Sequence, residues 1–157
     1  MADNDNISKT RQLRDVPARL EIVVEDLPAG FDALRVEARA EGHLFVERLF
    51  IDWMSHTIRF NREGEALLAA RAKDVLAGIA GITIEPVVRG AMRMRRFYVR
   101  PAFRRNGVGH QLVTALLAGV RADQLVTVNA SPASFPFWEA VGFRPDRRDG
   151  HTHIFTR

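Results

Sequence analysis

Hydrophobic and polar positions alternate in some stretches of this chain and recur at helical spacing in others. Leu20-Glu21-Ile22-Val23-Val24 alternates and predicts a first strand, followed by a turn at Leu27-Pro28-Ala29-Gly30. Residues 31–60 carry two helical stripes: Phe31, Leu34 and Ala38 on one, Phe45, Leu49, Ile51 and Trp53 on the other, with Gly42 between them. Asn61–Glu65 reads as a turn. Ala66–Ala72 and Val75–Ile84 then read as strands joined by a tight hairpin at Lys73-Asp74. Gly78 and Gly81 weaken the second of these strands or mark a bulge in it. Glu85–Gly90 connects to a strand over Ala91–Val99. From His110 onward Leu112, Val113, Leu116, Leu117 and Val120 recur at helical spacing. Leu125–Asn129 is built from β-formers, Ser131-Pro132 opens a loop, Ser134–Ala140 is a short helix ending at Gly142, and His151–Phe155 closes the chain as a strand.

The predicted order is β-α-α-β-β-β-α-β-α-β. Strands mixed with helices in this way predict an α/β (α+β mixed) domain of three layers. Residues 1–17 are polar and end at Pro17, so they predict a tail, with one domain over 18–157.

Length and composition narrow the class. A chain of 157 residues with 46% hydrophobic and 27% charged residues has the make-up of an ordinary globular domain with a real core. No apolar run approaches the ~20 residues of a membrane span, and the polar start lacks the apolar core of a secretory signal. Cysteine is absent, which excludes a disulfide framework, a thiolate zinc site and a cysteine nucleophile. Together these favour the cytoplasm. Net charge is +4, and Lys9 and Lys73 are the only lysines. The positive charge is therefore almost all arginine, which suits bidentate capture of phosphate or carboxylate, although genomic composition bias gives the same surplus.

The chemistry concentrates at Phe97–His110. A short apolar strand meets Pro101, then the basic loop Arg104-Arg105-Asn106-Gly107-Val108-Gly109, then a helix. A strand feeding a helix through a glycine turn leaves backbone N–H groups without acceptors, and the helix dipole adds a positive end. Such a point binds phosphate oxygens. Gly107 and Gly109 lack the Cβ atoms that would hold a bulky anion off, and Arg104 and Arg105 add fixed charge. The bland alternative is a plain helix cap. A dinucleotide fingerprint fits poorly, since Leu112 stands where its third glycine belongs. The Gly-Lys-Ser/Thr of an ATP-binding P-loop is missing.

Arg104–Gly109 resembles the R/Q-x-x-G-x-G/A signature of the GNAT superfamily of acyl-CoA-dependent N-acetyltransferases. Phe97–Pro101 is similar to that family's fourth strand and its exit, and Phe137-Trp138-Glu139-Ala140-Val141-Gly142-Phe143 to its late helix and Gly-Phe. Order and spacing fit over roughly 18–157. The resemblance implies a central mixed, mostly antiparallel sheet flanked by helices, with fourth and fifth strands splayed to admit a thioester. It implies acetyl-CoA as cosubstrate, with Phe97, Tyr98 and Val99 along the pantetheine arm, Arg105 to His110 around the diphosphate, and Ser131 near the cofactor. The implied reaction is attack of a primary amine, of a small molecule or a protein, on the thioester. A base takes the amine's proton, a backbone N–H of the fourth strand stabilises the oxyanion, and an acid protonates the thiolate.

The chain departs from that pattern at two places. Trp138 occupies the position of a thiolate-protonating tyrosine, and indole is no acid at neutral pH. Arg93 and Arg95 stand where some members carry a glutamate base, and guanidinium stays protonated. In the implied fold the edge carrying Glu85 approaches the acceptor cleft, which makes Glu85 the candidate base; otherwise it is a solvent-facing hairpin residue. Tyr98, the single tyrosine, is a candidate acid or a packing residue. His110 contacts phosphate, shuttles a proton, or is an exposed first-turn residue.

Arg93 and Arg95, two apart on a strand, share a face. They bind an acceptor carboxylate or form a solvated face. Trp53, with Phe45 and Phe50, walls an acceptor pocket or packs in the core. His151 and His153 share a strand face without a third ligand nearby and read as structural, so no metal is expected. Members of the family often dimerise, so a homodimer is compatible. Two other functions stay open. One is a non-catalytic acyl-CoA-binding module of the same fold. The other is a nucleic-acid binder using the seven arginines of 89–105, which lacks a helix-turn-helix, an RNA-binding signature and a stacking platform.

Overall fold

The computed structural model describes residues 17–157. The tail predicted for 1–17 lies outside them, apart from Pro17. Seven strands, β1 (Arg19–Ile22), β2 (Ala66–Ala72), β3 (Val75–Ile84), β4 (Met92–Val99), β5 (Val126–Val128), β6 (Arg144–Pro145) and β7 (His153–Phe155), form one sheet in the order β1-β2-β3-β4-β5-β7-β6. All pairs are antiparallel except β4 with β5. Helices α1 (Phe31–Ala40) and α2 (Phe45–Met54) cover one face, and α3 (Val108–Ala118) and α4 (Phe135–Ala140) the other.

Strand alternation feeds two cores. On β2, Leu67 and Ala69 enter the core under α1 and α2, while Leu68, Ala70 and Ala72 enter the core under α3. Phe31, Leu34 and Ala38 on α1 and Val46, Leu49 and Trp53 on α2 bury one stripe each. On α3 the buried stripe is Val108, Leu112, Val113, Leu116 and Leu117. Leu112 is fully buried, and truncating such a side chain to alanine costs about 2–5 kcal/mol.

The predicted mixed three-layer fold is present, with four adjustments. A two-residue strand, β6, adds to the predicted order. It is short because Pro145 has no N–H for a ladder, and an edge position tolerates that. Helix α3 starts at Val108 rather than His110, because Gly107 supplies the left-handed residue before it. Strand β3 is continuous through Gly78 and Gly81, and the expected bulge lies beside Gly78: Ala70 pairs with Gly78 but Arg71 with Leu76, so Ala77 is an extra residue on β3. A Cβ at Gly81 would stand 2.4 Å from the Phe60 ring, so the ring, not a break, explains that glycine.

The fourth adjustment is a second bulge, on β4. Ile79 pairs with Tyr98 but Gly81 with Arg95, so β4 carries one extra residue, and Arg96 sits there with φ +56°. The bulge resets the strand's phase. Met92, Met94, Phe97 and Val99 all face the α3 side, while Tyr98 enters the α1–α2 core.

Candidate functional site

Strand β4 pairs with β5 only from Met92 to Met94, opposite Val126 to Val128. Arg95 to Val99 have no strand neighbour on that side among the described residues. A cleft of about 1040 Å³ opens at this splay, bounded by β4, the end of β5, the start of α3, α4 and the α1–α2 junction.

One end of the cleft is the loop into α3. After Val99 the chain makes a 3-10 turn, Pro101–Phe103, and then the turn that presents Arg105, with φ +65°, and Gly107, with φ +79°. The first backbone bond at the helix start runs from Gln111 N–H to the Gly107 carbonyl, at 2.9 Å. The N–H groups of Val108, Gly109 and His110 therefore have no main-chain acceptor among the described residues and open at the cleft wall. A Cβ at Gly107 would meet nothing within 4 Å, so a ligand can approach the main chain there.

Gly109 differs. A Cβ there would lie 2.9 Å from the Phe97 ring and 3.1 Å from that of Phe137. The expectation that Gly109 clears space for an anion is corrected: its missing Cβ makes room for these two stacked rings, whose centroids are 4.9 Å apart.

The two loop arginines also differ. Arg104 donates through Nε to the Val99 carbonyl at 2.9 Å and through Nη1 and Nη2 to Glu41, at 2.9 and 2.6 Å. Arg100, just upstream, makes a two-pronged pair with Glu37, both bonds 2.9 Å long. These two forks staple α1 to the exit of β4 and fix the loop. Arg105 is exposed and has no ion pair with a described residue, so its charge is free for a ligand. Ser131 lines the cleft from the loop after β5, near Ser134.

The other end is lined by His43, Phe45 and Arg48 from the α1–α2 junction and α2, and by Arg93, Arg95 and Arg96 of β4. Arg96 donates to Asp52 at 3.2 Å. Arg93 donates to the Gly150 carbonyl at 3.0 Å and lies 3.5 Å from Glu85. Among the described residues, no aspartate or glutamate lines the cleft.

Tyr98 lines the cleft, with its ring against His43 and Phe45 at 5.9 and 6.2 Å. Its hydroxyl donates to Glu41. Burial and that hydrogen bond push the phenol pKa well above its ordinary value, which makes it a weaker acid. The Glu41 carboxyl is held down to about 2, chiefly by the hydrogen bonds from Arg104.

Glu85 and Trp53 lie away from the cleft. Glu85 is buried beneath Arg93 and accepts from the Thr127 hydroxyl and, at 3.0 Å, from the Val87 N–H. Burial works against its charge, but these donors and Arg93 outweigh that, so its pKa is below the usual range. The solvent-facing alternative for Glu85 is thereby corrected. Trp53 packs in the core under α1 and α2, with the Arg59 guanidinium 4.2 Å over its ring, and lines a separate cavity of about 590 Å³ with Phe50. Phe45 alone of that aromatic set reaches the large cleft.

Trp138 is buried among Phe97, Phe137 and Phe143. His151 and His153 each find a carboxylate, Asp146 at 2.6 Å and Glu139 at 3.2 Å. The sequence reading missed His43, Arg48 and Glu41. Glu41 and His43 lie in the polar run around Gly42 between the two helices, which is their only signal, and Arg48, inside α2, has none.

A mixed sheet splayed beside a strand–loop–helix turn with acceptor-free N–H groups is the arrangement these residues build. The model of the acetyltransferase (GNAT) domain matches residues 30–153, and the chain belongs to that family. Its fold is similar to that of an acetyltransferase from Streptococcus agalactiae 2603, with a TM-score of 0.70, 14% identity and coverage of 90% of this chain and 99% of that one. It is also similar to a protein of Exiguobacterium sp. 255-15 provisionally assigned as an acetyltransferase, with a TM-score of 0.78, 22% identity and coverage of 88% and 93%. A third is the N-acetyltransferase YlbP of Bacillus subtilis in complex with coenzyme A, with a TM-score of 0.59, 14% identity and coverage of 89% and 97%. Among curated proteins no sequence match is found. No helix among the described residues is long and apolar enough to cross a membrane.

Proposed function

We propose that this protein transfers an acetyl group from acetyl-CoA to a primary amine. The observation that carries this reading is the set of acceptor-free N–H groups at Val108, Gly109 and His110 beside an open Gly107, at one end of a cleft bounded by an unpaired strand edge. In this reading those amides and Arg105 hold the diphosphate. The free edge of β4 from Arg95 to Val99 pairs with the pantetheine arm, and Ser131 flanks it from across the cleft. The solved coenzyme A complex of a fold neighbour supports the choice of ligand.

The thioester supplies the acetyl group. As the amine nitrogen bonds the carbonyl carbon, a β4 N–H near the Arg96 bulge stabilises the carbonyl oxygen, the C–S bond breaks, and the amine loses a proton. Glu85 is enclosed and Tyr98 is tied to Glu41, so His43 is the group best placed to take that proton on the acceptor side. Solvent protonates the thiolate, since Trp138 has no acidic proton to give.

Calorimetry with acetyl-CoA, followed by thiol release across a panel of amines, tests the reading. Saturable binding at one site per chain, with release that depends on the amine, is expected. Absence of binding overturns it. Binding with no release for any amine favours the non-catalytic acyl-CoA-binding module.

A further inference from the structure

The acceptor end of the cleft holds more positive charge than the fold around it neutralises. Four arginines line it: Arg48, Arg93, Arg95 and Arg96. Two carboxylates answer them, Glu85 at Arg93 and Asp52 at Arg96, which leaves a surplus of two charges. Arg48, on α2, is exposed at the rim and close enough to Arg96 to disfavour its charge. Arg95 has no carboxylate within ion-pair range among the described residues. Its Nε is sealed from solvent and makes no hydrogen bond to a described residue.

A buried guanidinium donor left unmatched is costly, and burial together with Arg93 and Arg96 pushes the Arg95 pKa down. A cationic acceptor would meet only repulsion here. An oxyanion meeting the outer nitrogens of Arg95 at the cleft wall would balance the charge.

We propose that the acceptor is an amine that also carries an oxyanion, a carboxylate or a phosphate, held by the fork of Arg95 with Arg93 beside it and Arg48 at the rim. This rests on the acetyltransferase reading for the amine half of the molecule, while the oxyanion half stands on the arginine geometry alone. The planar fork of a guanidinium donates two parallel hydrogen bonds to two oxygens of one group, which a lone ammonium does not offer. Glu85 acts through Arg93 as a positioning residue: anchored by Thr127 and Val87, it holds Arg93 at the cleft wall.

The test uses the full chain saturated with coenzyme A, so that the phosphate end is filled before any second anion is added. Arginine Nε–H resonances are assigned through the backbone and followed by 15N–1H spectroscopy at constant ionic strength. Four probes are titrated: β-alanine, O-phosphoethanolamine, n-propylamine and 1,3-diaminopropane. The first two should shift the Arg95 resonance saturably, and the tighter of them identifies the oxyanion. The uncharged-tail amine and the diamine should leave it in place. Equal shifts with n-propylamine, or none with either oxyanion, overturn the proposal. If coenzyme A itself does not bind, the acetyltransferase reading fails, and the same titration on the free protein still decides the oxyanion question. In turnover, Arg95→Ala should raise the KM for the oxyanion-bearing acceptor at least tenfold more than that for n-propylamine. A change confined to kcat, or an equal rise in KM for both amines, overturns it.

Discussion

The two ends of the cleft are built on opposite principles. The loop end relies on main chain: free N–H groups of Val108 to His110, with Gly107 leaving the approach open. The acceptor end relies on side chains from separate elements, His43 and Arg48 on one face and the arginines of β4 on the other. Main-chain donors are set by backbone geometry and tolerate side-chain change. A site made of side chains can be altered one residue at a time. The first end is therefore suited to a constant ligand and the second to a varied one.

The sharpest way to separate the ends is His43→Gln. On the proposed reading it removes the proton acceptor beside Tyr98 without touching the loop. General-base loss typically lowers turnover by about 10²–10⁴-fold. Stopped-flow or steady-state thiol release should show that loss, with calorimetric affinity for coenzyme A unchanged. Retained turnover would mean that the amine arrives neutral and needs no base from the protein.

Gly107→Val should give the mirror image. Valine at φ +79° adds backbone strain of about 1–2 kcal/mol and puts two methyl groups on the open side of the loop. Coenzyme A affinity should fall at least tenfold, about 1.4 kcal/mol, while acceptor-side probes still titrate Arg95. Gly109→Val, by contrast, drives a side chain into Phe97 and Phe137 and should lower the melting temperature before anything else. If both variants behave alike, the distinction between an open and a packed glycine is wrong.

The difference between the ends also explains what the sequence reveals. The loop is contiguous, so strand, proline, basic residues and glycines spell it out within fourteen residues. The apolar run of β2 and the stripe of α3 are equally local, and both are legible. The acceptor end joins residues far apart in the chain: Tyr98 meets Glu41 across 57 positions and Arg93 meets Gly150 across another 57. No local period encodes such a meeting. The bulge at Arg96 is hidden for a different reason. Arginine has no preference for positive φ, so nothing in Arg95-Arg96-Phe97 announces that the strand changes phase there. Gly109 misleads because a glycine beside a loop signals absent bulk without saying whether a ligand or a neighbouring ring takes the space.

Glu41 links the two ends, accepting from Arg104 on the loop side and from Tyr98 on the acceptor side. Its carboxyl is pulled from the ordinary 4.5 to about 2. A carboxyl with a lower pKa folded than unfolded stabilises the protein above its unfolded value and loses that contribution as pH falls through the folded one. The contribution is therefore full above about pH 4.5 and lost near about pH 2. Urea midpoints for Glu41→Gln should be lower than wild type at neutral pH, with the gap narrowing across that window. A gap that stays constant with pH would show that Glu41 contributes through packing rather than charge.

The smallest expected effect distinguishes two adjacent arginines. Arg105 is exposed and unpaired, so in the proposed site it offers a solvated charge to a phosphate, worth about 0.2–1 kcal/mol. Arg105→Ala should weaken coenzyme A binding two- to five-fold at low salt, and the difference should fade as salt rises, because the Debye length shrinks from about 10 Å at 0.1 M to about 3 Å at 1 M. Arg104 is held by Glu41 and the Val99 carbonyl. Arg104→Ala should act by loosening the loop, with a loss of affinity accompanied by lower stability and largely insensitive to salt. Equal salt dependence in the two variants would place both guanidinium groups on the phosphates and dissolve the division of labour between them.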